Sequence, residues 1–209
     1  MKTYAALVIL LSALWGCSNT VLVTVPPKMD LKAYGTLGIL EFTSNSDPAI
    51  SHFATQRFQE QLQGAYPGTP ILELGTREAV LEAAGAKQLD AEAIRRIGQK
   101  YGVAAVFVGN IVYSEPTTDI RLIDITKLEG GIRTEIKGDI SGKLLDTKSG
   151  ASVWSSSAWA KRQLGGMTVS GKNVSASVRD SNPRQDMVPA LIFHLTEDFR
   201  PTSMRQKEE

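Results

Sequence analysis

Cysteine occurs once in this 209-residue chain, histidine twice and tryptophan three times. The single thiol, Cys17, excludes an intrachain disulfide and any cysteine-based zinc site, which needs several ligands at short spacing. His52 and His194 are far apart and lack a cysteine, histidine or carboxylate at ligand spacing, so no metal or cofactor is expected. An excess of charge of one sign is also missing: 23 basic residues face 22 acidic ones. Nucleic-acid binding needs clustered Lys and Arg to neutralise phosphate, so a nucleic-acid partner is not expected. No apolar run approaches the roughly 20 residues of a membrane-spanning helix. No internal repeat and no Gly-x-Ser-x-Gly elbow are present, and no catalytic residue stands out.

The longest apolar stretch, Tyr4 to Leu14, follows Lys2 and precedes the small residue Gly16, the pattern of a secretion signal. The run Leu14-Trp15-Gly16-Cys17 resembles the lipobox of bacterial lipoproteins. That resemblance implies cleavage after Gly16 and acylation of Cys17 on its thiol and new α-amino group, palmitate included. Ser18, where Asp is absent, resembles the signal for delivery to the outer membrane. Removing residues 1–16 takes Lys2 away and leaves equal numbers of basic and acidic side chains. The expected organisation is a signal peptide (1–16), a lipidated Cys with tether (17–34), one α/β domain (35–200) and a loose charged tail (201–209). Pro26-Pro27 stiffens the tether, whose length is on the order of 50 Å when extended.

Within the domain, Thr36 to Phe42 reads as a strand. Asp47-Pro48 reads as a helix N-cap followed by proline at the first helical position. Ile50, Phe53, Ala54, Phe58, Leu62 and Ala65 then fall at steps of three and four, one buried helical face. Pro70 to Leu74 is a brief strand. Thr76 and Asp90 cap two further helices, ending at Gly85 and Gly102. Val103 to Tyr113 is the most apolar run and reads as a central strand covered on both faces. Ile120 to Ile125, Thr134 to Asp146 and Ser152 to Arg162 read as strands. Ile136, Ile140 and Leu144 share one parity, and a hairpin turn lies over Asp146 to Gly150. Gly165 to Asn182 reads as a loop, and the last helix starts near Asp186 with Pro189 in its first turn.

Three stretches carry a family likeness: Gly38 to Phe42, Leu89 to Gly109, and Leu144 to Ser155 with its Asp-x-x-x-Gly turn before a strand bearing Trp. Together they resemble the CsgG-like bacterial lipoproteins, whose members include PelC-like and LpoB-like proteins. The resemblance implies a mixed sheet with helices packed on it, an anticodon-binding-domain-like sandwich that often assembles side by side into rings. The charged residues between Glu115 and Gly138 leave no pair of clean apolar faces of about 9–11 residues, so transmembrane hairpins are not expected.

Gly166 to Lys172 comes close to a phosphate-binding loop. However, Asn173 stands where Ser or Thr must hold magnesium, and Val174 to Val178 is a poor helix. Trp154 and Trp159, five residues apart on one strand, point to opposite faces and are candidate partner contacts. The expectation is a non-enzymatic lipoprotein on the periplasmic face of the outer membrane, serving export of a surface or envelope polymer, with homo-oligomerisation. The alternative is a regulatory lipoprotein that binds and activates a periplasmic cell-wall synthase.

Overall fold

A computed structural model describes residues 20–124, 129–170, 172–178 and 182–207. They fall into two compact units, one of residues up to 28 and from 200 onward, the other Met29–Phe199. Cys17 and the signal segment lie outside the described residues. In the smaller unit, β1 (Thr20–Val25) pairs antiparallel with β10 (Thr202–Lys207). Thr20–Val25 of the expected tether and Thr202–Lys207 of the expected tail are here two strands of one ribbon. Val, Leu and Thr in Thr20–Val25 favour extended backbone, and its edge is met by a segment nearly the whole chain away.

The larger unit is an eight-stranded mixed sheet with helices on both faces. Its path is β4 (Ile71–Gly75), β2 (Leu37–Leu40), β5 (Ala105–Tyr113), β7 (Glu129–Asp146), β8 (Ser152–Ser170) and β9 (Asn173–Val178). β3 (Thr43–Ser44) pairs with β5, and β6 (Thr117–Asp124) with β7. β2 lies parallel to both β4 and β5, whereas β5, β7, β8 and β9 run antiparallel in succession. All four residues of β2 are buried, as a strand covered on both faces requires.

α1 (Pro48–Ala65) starts where expected: the Asp47 carboxylate accepts from the Ala49 N–H at 2.8 Å and Pro48 occupies the first turn. Its apolar stripe Ile50, Ala54, Phe58 and Leu62 is buried. α2 (Arg77–Ala83) is capped by Thr76, and α3 (Ala91–Tyr101) by Asp90, which accepts from Ala93 N–H at 2.8 Å. Gly102 closes α3 with φ 67°. α4 (Pro183–Leu195) departs from the expectation. Asn182 caps it and Pro183 opens it, so Pro189 lies inside the helix and cannot donate to the Gln185 carbonyl. The packing of Val188, Leu191, Ile192 and Leu195, all buried, offsets that missing bond.

α1 and α4 cover one face over a core built on Phe42, Phe58, Phe107, Trp154 and Phe199. α2 and α3 cover the other with Leu40, Val80, Ile94, Ile97, Val103 and Val106. Two close approaches explain two glycines. A Cβ on Gly109 would overlap the Phe42 ring, and one on Gly98 would overlap Thr147, where α3 meets the β7–β8 turn. That turn is tied by the Asp146 carboxylate, which accepts from the Ser149 hydroxyl at 2.6 Å and its N–H at 2.8 Å. Those two bonds hold the Asp146 carboxyl below the usual carboxylate range.

The stretch from Gly165 to Asn182, read as a loop, is strand over much of its length: β8 runs on to Ser170 and returns as β9. The backbone bonds of the neighbouring strands supply a template that Gly and Ser composition does not reveal. With β6 and β7 this makes a four-stranded extension. Ile120, Ile132, Met167 and Ala176 align across it in one row, while Asp119, Arg133, Gly166 and Ser177 align in an adjacent row pointing to the other face. Apolar residues at two or three positions per strand fall short of a spanning strand's 9–11 residues. No helix among the described residues is long and apolar enough to cross a membrane.

Tyr113 links β5 to α4, its hydroxyl donating to the Arg184 carbonyl at 2.8 Å. Burial pushes its phenol up to about 12, against the opposing pull of Arg184. The native state therefore keeps this proton where an unfolded tyrosine, near pH 10, loses it. Tyr113's contribution to stability is complete below about pH 10 and disappears as pH rises toward 12. The urea midpoint of the wild type should fall across that window more steeply than that of Tyr113→Phe; parallel curves would contradict this.

Candidate functional site

α2 and α3 cover only part of their face of the sheet. Beyond them, alternate residues of three strands stand uncovered: Asn110 and Val112 on β5, Asp139, Ser141 and Lys143 on β7, and Ser155, Ser157 and Trp159 on β8. Register places them in cross-strand rows. Val108, Lys143 and Ser155 form one, Asn110, Ser141 and Ser157 the next, and Val112, Asp139 and Trp159 the third. Strand positions two apart share a face, so all three rows belong to one surface.

Trp159 is 62% exposed. The Lys137 ammonium lies 5.9 Å from its ring centroid and pairs with the Asp139 carboxylate at 2.6 Å. Trp154, the other candidate contact, is only 8% exposed and is a core residue. Its ring packs on Phe199 at 4.6 Å and Phe107 at 6.0 Å, and its Nε1–H donates to Asp198 at 3.2 Å. Opposite faces were legible in the spacing of the two tryptophans. Which face is open depends on where α4 packs.

At the other end of this surface is a cavity of about 330 Å³ lined by Arg77, Leu89, Val108, Asn110, Ser141, Lys143 and Leu145, with Gly109 and Gly142 in its floor. Arg77 opens α2 directly after β4. β4 and β2 are parallel neighbours whose following helices, α2 and α1, pack on opposite faces. The cavity itself lies on the sheet face over β5 and β7, beside the first residue of α2. The Arg77 Nε is buried without a hydrogen-bond partner among the described residues. Sequence reading did not single out Arg77, Asn110, Ser141 or Lys143, because no local motif joins residues so widely separated.

In the near-match to a phosphate loop, Gly166–Ser170 belong to β8, and the helix that such a loop requires is replaced by β9. His52 is exposed on α1, and His194 pairs with Glu197 at 2.8 Å on the surface. Among the described residues no group of three or more His, Cys, Asp or Glu could hold a metal ion.

No protein-family model matches the chain, and no curated protein matches it in sequence. Solved structures similar to it include several bacterial proteins. A PelC dodecamer from Paraburkholderia phytofirmans is 10% identical, with 87% of this chain and 98% of that one covered and a TM-score of 0.42. Lipoprotein GNA1162 from Neisseria meningitidis is 14% identical, with 76% and 95% covered and a TM-score of 0.41. The LpoB C-terminal domain from Salmonella enterica is 10% identical, with 65% and 84% covered and a TM-score of 0.35. At these values the site is read from its own residues.

Proposed function

We propose that this chain is a non-enzymatic, lipid-anchored accessory protein on the periplasmic face of the outer membrane, acting in export of a surface or envelope polymer. The observation that carries this reading is the uncovered sheet face between Trp159 and the Arg77 cavity. It presents an exposed aromatic plane, hydroxyls and charges on paired strands, where backbone bonds hold them rigidly, and it suits binding along an extended ligand. Cys17 supplies the membrane attachment. Oligomerisation fits the open sheet edges among the described residues, such as β4 and the Ser152–Arg162 part of β8.

Trp159→Asp should reach the membrane in normal amount yet fail to restore surface polymer to a strain lacking the protein. The check is cell-surface polymer measured beside immunoblotting of the membrane fraction. Normal export by the null strain, with altered cell-wall cross-linking instead, would replace this reading with that of a synthase-binding regulator.

A further inference from the structure

The cavity under α2 is lined by donors and by no acid. Arg77 and Lys143 carry positive charge, Ser141 carries a hydroxyl, and no carboxylate is among the lining residues. Asn110 uses its side-chain carbonyl to accept from the Thr43 hydroxyl at 2.9 Å, which leaves its NH2 as the part free to donate. The Arg77 guanidinium makes no hydrogen bond or ion pair among the described residues, although its Nε is buried. Lys143 likewise has no ion-pair partner there. A buried donor without a partner costs about 1–3 kcal/mol, and Arg77 is one of the residues that line this cavity. Leu89, Val108 and Leu145 form an apolar wall beside these donors. A partly dry wall strengthens attraction for an anion, and the planar fork of Arg77 matches the two oxygens of a carboxylate.

We infer that this cavity binds the carboxylate of an acidic sugar unit, and that the chain of an acidic polysaccharide continues from it over the sheet face to Trp159. The sheet face offers a polyol ligand what it needs beyond the anion. Ser141, Ser155, Ser157 and Asp139 give alternating donors and acceptors for hydroxyls. The C–H face of a pyranose ring carries slight positive charge and fits against the negative face of the indole. Asp139, in the row of Trp159, and the near-neutral charge of the whole chain disfavour a densely charged phosphate polymer such as a nucleic acid. Widely spaced carboxylates on a sugar backbone meet a single cationic pocket without that repulsion. This inference rests on the proposed role only for naming the polymer; the pocket itself is tested separately.

The test uses the full-length lipoprotein in detergent, titrated with oligogalacturonate, a neutral oligosaccharide of equal length, inorganic phosphate and a single-stranded oligonucleotide. Calorimetry gives affinity and tryptophan emission reports Trp159. Oligogalacturonate should bind at least about tenfold more tightly than the neutral oligosaccharide, with weakening by salt and a change in emission. Arg77→Gln and Lys143→Gln should each weaken it by about tenfold, and Trp159→Ala should weaken it with the fold intact by circular dichroism. Lys143→Gln, on an exposed strand position, keeps the test valid if Arg77→Gln folds poorly. Equal binding of the neutral sugar, indifference to Arg77→Gln and Lys143→Gln, or no binding at millimolar concentration would overturn the inference. Phosphate or oligonucleotide binding as tight as oligogalacturonate, and unaffected by Trp159→Ala, would overturn the saccharide assignment. If these fail while the null strain still loses its surface polymer, the export role stands without this pocket.

Discussion

A Cys17→Ser protein is expected to leave the membrane fraction completely while its folded domain remains intact. Each buried methylene of an acyl chain contributes about 0.8 kcal/mol, and one chain alone binds reversibly whereas two or more anchor stably. Serine in place of the thiol removes the acylation site, and with it every chain. No described helix is long and apolar enough to cross a bilayer in place of that anchor. The strand Thr20–Val25 begins only three residues after Cys17, so its first residue can lie at most about 11 Å from the anchor. Its exposed Val21, Leu22 and Val23 are too few to span, but they justify a stringent assay. The measurement is fractionation of cells with and without an alkaline carbonate wash. A variant that still sedimented with membranes after the wash would remove Cys17 from its assigned role and, with it, the short leash that keeps the domain near the bilayer.

The second large effect concerns Phe107. It is 1% exposed at the centre of β5, with ring centroids 5.1 Å from Phe58, 5.8 Å from Phe199 and 6.0 Å from Trp154. One side chain thus joins α1, the segment after α4 and strand β8 to the central strand. Phe107→Ala should cost about 3–5 kcal/mol, the loss of a fully buried ring plus the cavity it leaves. Stabilities of natural domains lie near 5–15 kcal/mol, so this single change takes away a large share. Urea unfolding followed by circular dichroism measures it. Trp159→Ala, on the same sheet but in solvent, should change stability by no more than about 0.5 kcal/mol. Equal effects of the two would mean that the aromatic cluster is not the keystone of the core.

The contrast between these two aromatics shows what kind of information each level carries. Asp47, Thr76 and Asp90 cap helices because a short acceptor side chain reaches the N–H groups two or three residues on. That chemistry is complete within one turn and is legible in the chain. The Asp146 to Gly150 turn, with Gly150 at φ 75°, is local in the same way. The lipobox-like run and the scarcity of Cys and His are also local or global facts of composition, and the expected address and the expectation of no catalytic motif rest on them.

The strands β9 and β10 were not legible, since Ser, Gly and charged residues become strands when a partner edge supplies the hydrogen bonds. The start of α4 was misplaced because two prolines and an asparagine offered competing signals that packing resolved. Above all, the site was not legible. Arg77 lies 33 residues before Asn110 and 66 before Lys143, and none carries a motif. By itself the sequence determined the N-caps of α1, α2 and α3, the apolar faces and the opposite orientation of Trp154 and Trp159. The tertiary structure alone decided which tryptophan is covered and which scattered donors share a cavity. The physical reason is that caps and periodicity are satisfied within a few residues, whereas register and layer coverage are set by contacts across the whole chain.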